Sequence, residues 1–147
     1  MKSLWQSDAR KEIEDRVRSL SPEAQPRFGR LNAPRMLNHI ADQMRMALGD
    51  IHARNGAGWL SVWPFNYLAI YVLPWPHGFK GPREAFTTKP VTWDADREQL
   101  LTLIGRFCEK QEQQSWPEHP VFGKLSGNDW AALSYRHLSH HLGQFGG

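Results

Sequence analysis

The chain has one cysteine, Cys108, so no internal disulfide can form and stability must come from packing. A lone thiol also fits a reducing compartment. No apolar run is long and clean enough to span a bilayer. The best stretch, WLSVWPFNYLAIYVLPWP from Trp59 to Pro76, is interrupted by three prolines, a serine and an asparagine. The first residues, MKSLWQSDARKEIEDRVRSL, are charged throughout and lack the apolar core of a signal peptide. Together these lacks predict a cytoplasmic protein without a membrane partner. A surplus of one charge is missing too. Eighteen basic residues against 15 acidic ones leave a net charge of +3, and Lys and Arg are scattered among Asp and Glu. A nucleic-acid partner needs basic charge gathered on one face, so none is expected. No repeat appears, and no segment alternates with the two-residue period of a strand over any useful length.

What remains is an ordinary globular composition. With 147 residues, 40% of them hydrophobic and 22% charged, the chain suits one domain over residues 1–147 with a sizeable core. Four segments carry helical spacing. The first runs from about Asp8 to Leu20, with Ile13, Val17 and Leu20 on one side. The second starts after Asn32, a good N-cap, tolerates Pro34 in its first turn and stops near Gly49. The third spans about Asp94 to Gln113. The fourth opens at SGND, where Ser126 and Asp129 suit a capping box, and runs on to the last residues. Between the second and third lies a long connection, Gly49 to Trp93, rich in proline and aromatics. It can hold a short helix around Pro64 to Val72. The class is all-α, and a long crossover of this kind occurs in bundles.

The last segment, YRHLSHHLGQFGG, contains three histidines within five residues. At about 100° per residue, Trp130, Leu133, His137, His141 and Gln144 fall on one side of the helix, flanked by Leu138, Leu142 and Phe145. His140 lies at the edge of this arc. The second helix has an apolar arc of Met36, Leu37, Ile40, Met44, Ala47 and Leu48, with His39 and Gln43 at its flank and Arg35, Asn38, Asp42 and Arg45 opposite. Two helices thus point imidazoles toward a common core. Burying a histidine is costly unless each ring nitrogen finds a partner. Histidines four apart on a helix are neighbours, so His137 and His141 can chelate one ion, with His39 as a third ligand. On spacing alone two readings stand, a metal site and a hydrogen-bonded polar core. Three imidazoles would leave positions open on a metal, as catalytic sites do. Zinc, nickel, copper and iron all suit such ligands. A zinc-protease arrangement is excluded, because Leu138 stands where its glutamate base would be.

Other candidates have plainer readings. Met36 and Met44 suit the core. His52, His77 and His119 fall in connections and are expected to be solvated. Trp59, Trp63, Phe65, Tyr67, Tyr71 and Trp75 suit a lid packed over the helices, or a pocket wall or dimer face. Gln43 and Gln144 are candidates for orienting ligands.

RHLSHHLGQFG resembles the last-helix signature of the DinB-like superfamily, and APRMLNHIADQMRMALG resembles its second helix. PWPHG and HPVFGKLSGNDWAAL are similar to a branch of that superfamily without assigned function. The resemblance covers nearly the whole chain. It implies a four-helix bundle with a long crossover between helices 2 and 3, frequent homodimers, and a divalent metal, zinc, nickel or iron, held by His39, His137 and His141. It further implies a small-molecule substrate and an exogenous low-molecular-weight thiol, used in S-transfer or isomerisation. The chain departs from the pattern at Leu142, where such proteins often carry arginine. The competing expectation is a metal-binding bundle without enzymatic activity, serving as a stress-response or interaction module. An open cavity beside the histidines would favour the enzyme.

Overall fold

The computed structural model describes residues 1–54, 58–75 and 81–146. Among these residues all regular structure is helical; no strand forms, and the one β-type contact is an isolated antiparallel bridge between His119 and Gly123. Helix α1 spans Ser7–Ser19 and α2 spans Ala33–Leu48. A short α3, Phe65–Tyr67, runs directly into a π-helical turn, Leu68–Val72, where the connection was expected to hold a short helix. Helix α4 covers Trp93–Glu109 and α5 covers Gly127–Gln144. Among its described residues the connection between α2 and α4 also holds two 3-10 turns, Trp59–Ser61 and Arg83–Phe86.

The caps act as the sequence suggests. Asn32 Oδ1 accepts from the Arg35 backbone N–H at 2.9 Å and starts α2. Gly49 ends that helix in the left-handed region at φ +81°, which a side chain would oppose. Ser126 and Asp129 form a reciprocal capping box at the start of α5, with bonds of 3.2 and 3.0 Å. Helix α4 stops about one turn short of Gln113. Beyond Glu109 the run KQEQQ offers no apolar side chain to bury, so nothing rewards a further turn.

Helix α2 packs against both α4 and α5 and against the Arg83–Phe86 turn, while α1 packs against α5 and α4. Ile13 and Val17 of α1, Leu37 and Ile40 of α2, Leu100 and Ile104 of α4, and Leu138 and Leu142 of α5 meet in one continuous core. Each such fully buried side chain stabilises the fold by about 1.5–3 kcal/mol in transfer free energy. Met36 and Met44 are part of it, as expected.

The expectation for His119 needs correction, and the polar side of α2 is covered. The side of α2 carrying Asn38 and Asp42 does not face solvent: these residues are 4% and 0% exposed. The connection folds back over that side, and its polar groups are used internally. Asn38 Nδ2 donates to Pro34 O and Asp96 Oδ2. Asp42 accepts from the backbone N–H groups of Thr87 and Thr88 at 3.0 and 2.9 Å and from Arg45 Nη1 at 2.8 Å. His119 is also buried, not solvated; its ring packs, tilted by 54°, against Trp130 of α5 with centroids 5.2 Å apart. His52 is exposed as expected, and His77 lies outside the described residues.

The aromatic segment is two-faced. Leu60, Ala69, Tyr71 and Trp75 pack on the core, whereas Trp59, Trp63, Phe65 and Tyr67 are exposed. Arg136 of α5 holds its inner face. The guanidinium donates to the carbonyls of Ala69, Ile70 and Leu73 and lies 5.1 Å from the Trp75 ring. A cation at the carbonyl end of a helix is favourable, and here it also sets the position of the indole.

Candidate metal centre

The three histidines singled out by helical phase come together. One nitrogen from each of His39, His137 and His141 lies within 4.8 Å of the others. His39 is buried, and the other two are half-buried where they line a cavity. The facing atoms are the Nε2 nitrogens, 3.1 Å apart between His39 and His141 and 3.2 Å between His39 and His137.

Tautomers follow from the partners on the other side of each ring. His39 Nδ1 lies 2.7 Å from the carbonyl oxygen of Ala85, which can only accept, so Nδ1 carries the proton. The Phe86 ring stacks on the same imidazole at 4.3 Å and fixes its plane. His141 Nδ1 lies 3.1 Å from Gln144 Oε1. The amide nitrogen of Gln144 donates to Phe28 O, so its oxygen must face His141 and that Nδ1 is a donor as well. Gly29, at φ +81°, lets the loop pass close to that amide; a Cβ there would collide with it.

With both Nδ1 atoms protonated, the Nε2 atoms of neutral His39 and His141 present two lone pairs to each other at hydrogen-bond distance. No proton lies between them to make that contact attractive. A cation would. Nitrogens about 2.0–2.1 Å from a zinc ion stand about 2.8–3.4 Å apart, from octahedral to tetrahedral angles. The observed 3.1 and 3.2 Å fall inside that range. The cluster is therefore compatible with a divalent metal.

The imidazoles are also in the protonation state a metal needs. Burial pushes the His39 pKa down, only partly offset by the Ala85 carbonyl and Asp42. Burial, then the neighbouring His141, His39 and His140, hold His137 well below its ordinary value. Burial and His39 push His141 down to about 3. All three are neutral near pH 7.

The cluster opens on a cavity of about 660 Å³ with mostly apolar walls. Leu60, Ala69 and Trp75 from the aromatic segment line it, so that segment forms a wall without filling the space. Trp75 lies 6.0 Å from both His137 and His140 by ring centroids. His140, left at the edge of the helical arc by its spacing, is half-buried and lines the cavity beside His141. Gln144 orients His141, as its position suggested. Gln43 lines the cavity and donates to Ser134 Oγ at 3.1 Å, leaving its Oε1 buried without a partner.

Several contributors were not foreseen. The Ala85 and Phe28 carbonyls are backbone atoms and leave no trace in residue type. Phe86 and His119 belong to connections whose course no periodicity sets. Asp42 had a signal that was passed over: it is the only acid on α2 and stands one turn from His39.

A family described as "Protein of unknown function (DUF1569)" matches residues 2–146. No curated protein and no solved structure matches the chain.

Proposed function

The chain belongs to the DUF1569 family, whose description carries no activity, so its function is read from the site, and we propose that it is a metal-dependent enzyme acting on a small molecule. The observation that carries this reading is the contact between the Nε2 atoms of His39 and His141, two lone pairs at 3.1 Å with both Nδ1 atoms committed as donors. A divalent ion, zinc, nickel or iron, held by His39, His137 and His141 would supply a Lewis-acid centre with positions open toward the cavity. Ala85 O and Gln144 orient two of the ligands, and the apolar walls around Trp75 keep bulk water from the reacting groups.

The adjoining cavity favours an enzyme over a non-catalytic metal-binding module, because space for a ligand is kept open beside the imidazoles. We take the reaction class from the DinB-like resemblance: S-transfer from an exogenous low-molecular-weight thiol to an electrophile. The chain's own thiol does not compete for that role. Cys108 sits on α4 away from this cavity, its thiol directed to Leu4 O at 3.5 Å and its pKa raised by burial. The packing of α1, α2, α4 and α5, with the long connection from α2 to α4, supports assignment to the four-helix DinB-like bundles as one domain. The exposed aromatics Trp59, Trp63, Phe65 and Tyr67 support a homodimer face. No helix among the described residues is long and apolar enough to cross a membrane.

Elemental analysis of untagged protein tests the site. Wild type should carry close to one equivalent of metal, His137→Ala and His141→Ala almost none, and His140→Ala the wild-type amount. Loss of metal in His140→Ala with retention in His141→Ala would assign the ligands wrongly here. A screen of low-molecular-weight thiols with electrophilic acceptors then tests the activity; no metal-dependent turnover with any of them would remove the transferase reading.

A further inference from the structure

Two of the three ligand imidazoles have an acceptor for their outer nitrogen, Ala85 O for His39 and Gln144 Oε1 for His141. The third does not. Among the described residues, His137 Nδ1 is buried without a partner. On the helix across the cavity another buried atom, Gln43 Oε1, an acceptor, is in the same condition among the described residues. The two side chains belong to facing helices. Gln43 stands one turn after His39 on α2, and its amide nitrogen already donates to Ser134, which lies one turn before His137 on α5. Both side chains line the same cavity.

The mismatch has a chemical reading. Without a metal, His137 can donate from Nε2 to the lone pair of His39 Nε2, 3.2 Å away, leaving a lone pair on Nδ1 and nothing for Gln43 to accept. When Nε2 gives its lone pair to a metal, the proton moves to Nδ1, and a buried donor appears that needs an acceptor. We infer that Gln43 is the positioning residue for His137: its Oε1 accepts the Nδ1 proton, directly or through one internal water, and selects the tautomer in which Nε2 binds metal. This rests on the metal reading above. It completes the set, so that every ligand imidazole is oriented by an acceptor from a different part of the chain. The bond to Ser134 uses only the amide nitrogen of Gln43 and leaves Oε1 without a partner among the described residues.

The test is metal affinity, measured by competition against a chromophoric chelator with cobalt(II) and zinc(II), in wild type, Gln43→Leu and Gln43→Glu. Gln43→Leu should bind metal about 10–100-fold more weakly, as loss of such an outer partner does. Gln43→Glu, which keeps an acceptor there, should hold affinity at or above wild type; a Gln43→Glu protein as weak as Gln43→Leu would overturn the inference. In 15N-labelled wild type saturated with zinc, the His137 resonances should show a protonated Nδ1 in slow exchange and a metal-bound Nε2. Coordination of His137 through Nδ1 would overturn the inference, and this measurement stands even if Gln43→Leu fails to fold. Affinity of Gln43→Leu within twofold of wild type would overturn it while leaving the metal site intact. A wild-type protein that binds neither ion would remove the site, and this inference with it.

Discussion

Replacing Asp42 by Ala tests how the fold holds His39. The carboxylate is fully buried and accepts from the Thr87 and Thr88 backbone N–H groups, from both threonine hydroxyls and from Arg45. Those bonds clamp the turn whose Ala85 carbonyl meets His39 Nδ1. Removing the acid leaves the half-buried Arg45 and two backbone donors without their acceptor. Breaking a buried pair from one side costs about 3–5 kcal/mol. In a chain of this size each kcal/mol lowers Tm by about 2–4 °C, so a drop of about 10 °C is expected. Asp42→Asn keeps the volume and one acceptor but loses the charge, and should cost about 1.5–3 kcal/mol. Urea unfolding of the metal-free proteins measures both. Metal affinity should fall with stability, because a loosened turn no longer presents the Ala85 carbonyl. An Asp42→Ala protein within about 1 kcal/mol of wild type would show that the clamp contributes nothing. Undiminished metal affinity in a destabilised Asp42→Ala protein would show that the turn does not orient His39.

Stability should also depend on pH through His119. Burial pushes its pKa down to about 3, so between pH 6.5 and 3 the unfolded chain takes up a proton there that the folded chain refuses. Its contribution is complete above pH 6.5 and is lost as pH falls toward 3, by up to about 5 kcal/mol at 1.4 kcal/mol per pH unit. His119→Gln should flatten the fall in urea midpoint between pH 7 and 4; an unchanged slope would assign it to other groups. Chelation should loosen the last turns of α5 before the rest of the molecule, because His141 is joined through Gln144 to Phe28 O. Hydrogen exchange with and without chelator would show faster exchange across residues 138–145; equal protection would mean that packing of Leu142 and Phe145 holds that end alone.

The four longer helices were legible because each has an apolar stripe, and two of them also have a readable start. Asn32 and the Ser126–Asp129 pair place their helices to the residue. His39, His137 and His141 could be grouped because helical phase converts spacing into direction, and direction brings α2 and α5 face to face. The same reasoning showed Asn38 and Asp42 only as a polar stripe, and a polar stripe does not tell that something folds over it. What folds over it is the connection, whose path is set by tertiary contacts from Thr87, Thr88 and Ala85 that no local pattern encodes. His119 was misread for a related reason. Its Nδ1 accepts from the Val121 and Phe122 backbone N–H groups at 3.0 and 3.1 Å, so the ring satisfies its own loop and can be buried.

The contacts that build the imidazole cluster are nearly all distant in sequence: 39 meets 137 and 141, 85 meets 39, and 28 meets 144. Closing loops of that length costs entropy before any of these contacts repays it. A partly folded chain, even one with every helix formed, therefore has at most the His137–His141 pair of α5 and no chelating trio. An absorbance band from cobalt bound at this site would appear only with the docking of α2, α5 and the connection against one another. The cluster would thus time the last stage of folding, a stage at which far-ultraviolet dichroism has already reached its final value.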